Sequence, residues 1–186
     1  MTHHVALLRG INVGGRNRLP MAELRESCGD LGWSGVRTYI QSGNIVFTSK
    51  SAREQMEAEL ERAIEERFDL RVAVIVRTRE EWAAYLNGNP FPAAAEDEPN
   101  RVMLALSKAP PKPDALAALR ERAIGGERVE LVGDALWIHF LNGAGRSKLS
   151  PGLLDRLVGS PVTLRNCRTL LEVNELMADD RGNASV

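Results

Sequence analysis

Two glycine-rich segments carry the side chains best suited to holding a small anion. Residues 10–17 read Gly-Ile-Asn-Val-Gly-Gly-Arg-Asn, and residues 142–148 read Asn-Gly-Ala-Gly-Arg-Ser-Lys. Arginine and lysine supply positive charge, asparagine and serine supply hydrogen bonds, and glycine lets the backbone approach a ligand closely. Both segments lead into predicted helix starts, where unpaired N–H groups and the helix dipole favour an anion. The predicted ligand contacts of the first segment are Arg9, Asn12, Gly14, Gly15, Arg16 and Asn17.

Three further short stretches complete the predicted set of ligand-binding residues. They are the turn residues Gln41, Ser42 and Asn44, the basic stretch Arg146, Ser147 and Lys148, and the pair Arg165 and Asn166. The glycine pattern of the first loop is neither Gly-x-Gly-x-x-Gly nor Gly-x-x-x-x-Gly-Lys-Ser/Thr, so it indicates no nucleotide class and leaves any cofactor unknown. Glycines in loops commonly serve turn geometry alone, and this structural interpretation stays open for each loop.

No catalytic or metal-binding residues are assigned. The three histidines lack metal-ligand spacing and the chain has no Cys-x-x-Cys pair, so no metal site is expected. His139 lies in an apolar strand and Cys28 on a helical stripe, which favours packing roles for both. No nucleophile–base pair or carboxylate dyad is identifiable from spacing alone, so whether the protein is an enzyme stays open.

Composition indicates a folded cytoplasmic protein. Hydrophobic residues make up 44% of the 186 positions, enough to bury a core. The formal net charge of −1 provides no global field to attract nucleic acid or an anionic membrane. Two isolated cysteines favour a reducing compartment. The apolar run at the N-terminus is too short for a signal peptide, and no stretch is long enough for a membrane-spanning helix.

Hydrophobic periodicity predicts the same element order in both halves of the chain. Strand, loop, helix, hairpin, helix and strand occupy residues 4–77, with a hairpin turn at Ser42-Gly43 and a further helix after Thr78. Ser51 with Glu54, and Thr78 with Glu81, have the spacing of helix capping boxes. After a Pro-rich acidic stretch the pattern restarts near residue 102 and repeats the order.

The order β-α-β-β-α-β predicts an α/β (α+β) protein of two ferredoxin-like modules with antiparallel sheets, each followed by an extra helix. We expect the first module in residues 1–88, a connection in 89–99 and the second module in 100–186. Duplication is the simplest explanation, and convergence on a common supersecondary unit is the alternative.

This topology predicts which loops meet. The loop after the first strand and the turn between the second and third strands share one end of the sheet, so residues 10–17 should lie beside residues 41–44. In the second module, residues 142–148 should share a sheet end with Arg165 and Asn166. If these two ends face one another, they would line a single cleft near the module interface.

Four motifs resemble a bacterial family named domain of unknown function 1697. They are residues 7–15 (Leu-Leu-Arg-Gly-Ile-Asn-Val-Gly-Gly), residues 38–44 (Thr-Tyr-Ile-Gln-Ser-Gly-Asn), residues 145–149 (Gly-Arg-Ser-Lys-Leu) and Arg165-Asn166. The resemblance covers essentially the whole chain. It implies an α/β fold of ferredoxin-like pieces and no established activity or cofactor.

Three classes of function remain at this stage. The favoured one is binding of a small phosphorylated or carboxylated ligand at the glycine-rich basic loops. The second is RNA binding, since related sheets stack bases on strand aromatics, for which Tyr39 and Phe47 are the available residues. The third is a protein-interaction or oligomeric module, and the oligomeric state is unknown.

Overall fold

Two four-stranded antiparallel sheets organise the protein in the computed structural model, which describes residues 2–179. The elements of the first half are β1 (Thr2–Leu8), α1 (Met21–Asp30), β2 (Ser34–Tyr39), β3 (Asn44–Ser49), α2 (Arg53–Phe68), β4 (Val74–Thr78) and α3 (Arg79–Asn87). Those of the second half are α4 (Pro92–Asp97), β5 (Val102–Ser107), α5 (Ala115–Arg122), β6 (Arg128–Val132), β7 (Ala135–His139), a 3-10 turn (Ala144–Arg146), α6 (Pro151–Val158), β8 (Val162–Asn166) and α7 (Cys167–Ala178).

Both sheets have the strand order of a ferredoxin-like module. The first sheet is ordered β2-β3-β1-β4 and the second β6-β7-β5-β8, with every neighbouring pair antiparallel. The predicted fold class is therefore confirmed, including the extra helix after each module. Contacts divide the described residues into two compact units. The first contains residues up to Ala83 together with those from Glu172 onward, and the second contains Ala84–Leu171.

Each sheet packs two helices against one face, α1 and α2 in the first sheet and α5 and α6 in the second. In the first unit the core joins alternate strand residues to the apolar stripes of α1 and α2. Trp33 stacks on Phe47 within this core, with ring centroids 3.8 Å apart. The residues that alternate with these strand positions are buried too, since Val5, Leu7 and Val46 are at most 1% exposed. Central strands buried on both faces explain the nearly continuous apolar runs in the sequence.

One of the two predicted capping boxes forms and the other does not. Thr78 accepts a bond from the N–H of Glu81 (3.2 Å), and the Glu81 carboxylate accepts the N–H of Thr78 (2.8 Å). The Ser51 prediction is wrong, because α2 begins one residue later with Ala52 as its N-cap and has no side-chain cap. Arg53, the first residue of α2, instead donates to Glu81 at 2.6 Å. The carboxylate of Glu81 therefore connects the start of α2 with the start of α3.

Within residues 2–179, no helix has the length and apolar character needed to cross a bilayer.

Candidate functional site

The loop after β1 and the β2–β3 turn lie side by side at one end of the first sheet, as the topology predicts. Strand register places Leu7 opposite Asn44, and the N–H of Leu8 donates to the carbonyl of Gly43 at 2.9 Å. A Cβ added to Gly43 would lie 2.7 Å from the Leu8 Cβ and 2.8 Å from Ile11 Cδ1. Only glycine allows so close an approach, so the turn and the loop are packed together without a gap.

Asn12 ties the loop to the turn. Its side-chain amide donates to the carbonyls of Gln41 (2.7 Å) and Leu19 (3.0 Å), and its Oδ1 accepts the N–H of Leu19 (2.9 Å). The residue itself has a left-handed backbone with φ of 53°, which asparagine tolerates better than most residues. The side chain of Asn12 is therefore engaged in closing the loop, and it positions its neighbours for any ligand.

Two other predicted asparagines also hold the backbone. Asn17 donates to the carbonyl of Gly10 at 2.9 Å and accepts the N–H of Asn12 on its own carbonyl. Asn44 is fully buried, and its amide donates to the Tyr39 carbonyl and the Ser42 hydroxyl, both at 3.1 Å. Gly14 and Gly15, both with positive φ, form the exposed tip of the loop. The asparagines thus give the site its shape and leave its surface to other residues.

That surface is basic. Arg16 and Arg18 are exposed, Arg9 is half-buried, and Gln41 is exposed on the adjoining turn. The sequence contains no aspartate or glutamate in residues 1–22 or in residues 31–53, although the whole chain has 25 acidic residues. The loop and the turn each lie within one of these acid-free stretches. A positive field at this end of the sheet therefore has no acidic side chain from either segment to neutralise it.

Two exposed aliphatic residues at this site were not among the residues predicted from the sequence. Val13 is 65% exposed and Ile40 is 51% exposed. Each adjoins one partner of the Asn12–Gln41 hydrogen bond along the chain. Ile40 has φ of 49°, an unusual backbone for a β-branched residue. Nothing in the residue types marks that conformation in advance, although an isoleucine directly before a predicted Gln-Ser-Gly turn is a weak signal of an exposed apolar residue.

The second glycine-rich segment, residues 142–148, is held by residues of the loop before β6. Asn142 donates to the Gly125 carbonyl at 2.9 Å, and the Ser147 hydroxyl makes a short hydrogen bond to the carboxylate of Glu127. The same hydroxyl accepts the N–H of Leu149 at 3.0 Å. Ser147 thus fixes the loop, while Arg146 and Lys148 are exposed. Glu127 was missed because nothing local links it to a serine twenty residues later.

Burial disfavours the charged form of Glu127, but hydrogen bonds from Ser147, from its own backbone and from Gly125 outweigh burial and lower the pKa of its carboxyl. It is therefore an anion at neutral pH. An acid beside Ser147 makes this loop less one-sidedly basic than the loop that contains Arg16.

Arg165 and Asn166 end β8 at the same end of the second sheet as this loop. Strand pairing puts His139 opposite Val102 and Asn166 opposite Met103, so β7 and β8 end on either side of β5. Two strand spacings separate them by about 10 Å. Asn166 donates to Asn100 and accepts the N–H of Thr169, which caps the start of α7. The loop of residues 142–148 and the end of β8 therefore lie at the same end of the sheet, as expected. The side chains of Asn142 and Ser147, however, bond to Gly125 and Glu127.

Arg165 is only 8% exposed. Its guanidinium donates to the Thr163 hydroxyl (2.7 Å) and to the Leu164 carbonyl (2.8 Å). Burial lowers the pKa of Arg165 to about 10, so it remains a cation at neutral pH. A side chain enclosed in this way stabilises the end of β8 and offers little surface to a ligand.

Both cysteines, Cys28 and Cys167, are buried. Burial raises the pKa of Cys28 to about 12 and that of Cys167 to about 11, so both thiols are protonated at neutral pH. His139 is 5% exposed, with its Nε2 3.6 Å from the Glu98 carboxylate. Within residues 2–179 no group of three or more His, Cys, Asp or Glu side chains could hold a metal ion.

The two aromatic residues considered for base stacking are fully or partly buried. Phe47 is 1% exposed beneath Trp33, and Tyr39 is half-buried. The residues of the central strands that face the opposite side, such as Val5, Leu7 and Val46, are buried as well. On these strands, only the partly exposed ring of Tyr39 is left for an RNA base to stack on.

Comparison with known proteins agrees with the fold. The profile of the family described as "Protein of unknown function (DUF1697)" matches residues 1–137. The chain belongs to this family. The matched region of this DUF1697 protein contains the loop after β1, the β2–β3 turn and Glu127, whereas residues 142–148 follow it. No curated protein matches the chain.

A solved structure extends the likeness over the whole molecule. The DUF1697 chain is similar to the conserved bacterial protein SP0830 from Streptococcus pneumoniae, with 26% sequence identity and a TM-score of 0.73. The alignment covers 95% of this chain and 98% of that one. Both modules therefore recur together in SP0830.

Proposed function

We propose that this DUF1697 protein binds a small phosphorylated or carboxylated ligand at the loop of residues 9–19 and the turn of residues 40–43, in the cytoplasm. One observation carries the proposal: two acid-free segments meet there, joined by the Asn12–Gln41 hydrogen bond at 2.7 Å, and the first of them exposes Arg16 and Arg18. We call this arrangement the loop–turn site.

The arginines supply the binding energy. A guanidinium offers several N–H donors in a fixed plane, which matches the oxygens of phosphate and carboxylate. Arg16 and Arg18 flank Asn17, whose amide fixes the local backbone by its bond to Gly10. A loop already closed by side-chain hydrogen bonds loses little conformational entropy when a ligand binds, and this preorganisation favours affinity.

A separate proposal concerns the second glycine-rich segment, residues 142–148, as a further place for an anion to bind. Arg146 and Lys148 are exposed there, and Ser147 is fixed by Glu127. It follows the third strand of its module, whereas the loop–turn site follows the first strand. We propose that any anion contact by Arg146 is additional to the loop–turn site.

Calorimetric titration with inorganic phosphate, phosphomonoesters and small carboxylates tests the proposal. Loss of a hydrogen bond to a charged group costs about 1.5–3 kcal/mol, so Arg16→Ala or Arg18→Ala should weaken binding about tenfold or more. Arg62→Ala is the matched control, because Arg62 is an exposed arginine on α2. Arg146→Ala reports on the second segment.

The proposal fails if the wild-type protein binds none of these anions, or if Arg16→Ala, Arg18→Ala and Arg62→Ala all bind as the wild type does. Binding that depends on Arg146 alone would transfer the site to the second segment. The salt dependence of the affinity supplies an independent check, since contacts between charges weaken as salt rises.

A further inference from the structure

Two aliphatic side chains at the loop–turn site are exposed to solvent. Val13 is 65% exposed at the loop, and Ile40 is 51% exposed at the turn. Single exposed apolar residues are ordinary on protein surfaces. These two each follow or precede a partner of the Asn12–Gln41 hydrogen bond in the sequence, and the loop that contains Val13 also exposes Arg16 and Arg18.

The backbone of Ile40 adds a second, independent observation. Its φ of 49° lies in the left-handed region, where the other non-glycine residues within 2–179 are Asn12, Asn17 and Asp69. Asparagine and aspartate are the types that tolerate this region, whereas a β-branched residue there is an outlier. An asparagine or glycine at position 40 would form the same turn with less strain, so the turn geometry does not require isoleucine.

Burial does not require it either, because about half of the side chain faces solvent. The strained backbone of Ile40 destabilises the turn, and its exposed side chain buries little apolar surface in the core. Backbone strain of this kind is typically retained at ligand-binding and functional positions. The arrangement at Ile40 therefore indicates a contact that forms only when a ligand is present.

We infer that the anionic ligand of the loop–turn site carries an apolar ring or alkyl group, which lies on Val13 and Ile40 while its charged group meets the arginines. This inference rests on the proposed function and narrows its ligand class. Polyhydroxylated anions, such as glycerol phosphate, have little apolar surface to bury against Val13 and Ile40, so these two side chains add little to their affinity. Anions with a ring or chain gain in proportion to the apolar area that is removed from water.

Phenyl phosphate and glycerol 3-phosphate are the decisive pair of probes, with inorganic phosphate as the reference. Titration of the wild-type protein should give a dissociation constant about tenfold lower for phenyl phosphate than for glycerol 3-phosphate, which corresponds to about 1.4 kcal/mol. The same comparison of benzoate with acetate tests the carboxylate form of the ligand.

Ile40→Asn removes the hydrocarbon and suits the left-handed backbone, so this variant is expected to fold. It should abolish the tenfold preference for phenyl phosphate over glycerol 3-phosphate. Val13→Ser should reduce the preference in the same direction. Ile124→Asn is the matched control, because Ile124 is an isoleucine that is 76% exposed and has no positive φ.

The outcomes separate the two proposals. Equal affinity of the wild-type protein for both phosphomonoesters, or an unchanged preference in Ile40→Asn, overturns the apolar contact and leaves the anion site standing. Absence of binding by every anion removes the loop–turn site itself, and the inference with it. A preference lost equally in Ile124→Asn would assign the effect to nonspecific hydrophobic contact and contradict the role of Ile40.

Discussion

The left-handed backbone of Ile40 has a consequence for stability that does not depend on any ligand. With φ of 49°, the residue holds its Cβ too close to its own backbone, at a cost of about 1–2 kcal/mol for an L-amino acid. Glycine has no Cβ and does not bear this cost. At an ordinary position, glycine is less favourable than alanine by about 0.5–1 kcal/mol because it loses more backbone entropy on folding. The two terms oppose each other at position 40.

Ile40→Gly should therefore be more stable than Ile40→Ala by about 0.5–1 kcal/mol. Both variants lose the same isoleucine contacts beyond Cβ, so the uncertain energy of the half-buried side chain cancels. At Ile124, which is exposed and has no positive φ, the order should reverse, with alanine the more stable by about 0.5–1 kcal/mol. The difference between the two sites should then be about 1–2 kcal/mol, the strain of the left-handed backbone itself.

Urea denaturation followed by circular dichroism measures all four variants, with thermal midpoints as a second readout. For a chain of this length, 1 kcal/mol corresponds to about 2–4 °C. Because the described residues form two compact units, the slope of the transition should be compared across variants before free energies are assigned. If alanine at position 40 is more stable than glycine by as much as at position 124, the backbone there is not strained, and the functional interpretation of Ile40 loses its main support.

Three further changes test the packing of the loop–turn site and the first sheet. Gly43→Ala should destabilise the protein by about 2–4 kcal/mol in urea denaturation, since its Cβ would meet two side chains within 2.8 Å, whereas Gly133→Ala, also at positive φ but in open space, should cost only about 0.5–1 kcal/mol. Asn12→Gly keeps the backbone conformation and removes three hydrogen bonds, so a loss of about 1.5–3 kcal/mol is expected, and a neutral result would show that the amide does not hold the loop. Burial lowers the pKa of His4, so the unfolded chain takes up a proton below pH 6.5 before the folded protein does; the free energy of unfolding should fall between pH 7.5 and 5.5 in the wild type and fall less in His4→Gln.

The strand order was predictable because few topologies suit the element order. A β-α-β-β-α-β chain with right-handed crossovers leaves one antiparallel arrangement, and that arrangement brings the loop after the first strand beside the turn of the hairpin. The glycine at position 43 marked the turn correctly. Its further role, to let Leu8 and Ile11 pack against the turn, depends on a contact between segments some 30 residues apart that no local pattern encodes.

Polar residues were harder to interpret because the same side chain can serve a ligand or the backbone. Asn12, Asn44 and Ser147 have the residue types of ligand contacts, yet all three satisfy backbone groups of their own loops. The distinction depends on burial and on nearby carbonyls, which appear only when the chain is folded. The capping boxes show the same limit. Ser51 and Thr78 have the same spacing to a glutamate, but only Thr78 directly precedes its helix.

The two modules share a fold but differ at the loop that follows their first strand. In the second module this loop spans residues 108–114, Lys-Ala-Pro-Pro-Lys-Pro-Asp, and contains no glycine. Its backbone is already engaged, because the N–H of Lys108 donates to the Pro161 carbonyl and the N–H of Lys112 donates to the Val158 carbonyl, both at 3.0 Å. The corresponding loop of the first module bonds mainly to itself and to the β2–β3 turn, and it presents its exposed arginines on glycine-rich backbone. If the proposed anion binding depends on the loop of the first module and not on the shared fold, Lys112→Ala should leave phosphate affinity unchanged whereas Arg16→Ala reduces it.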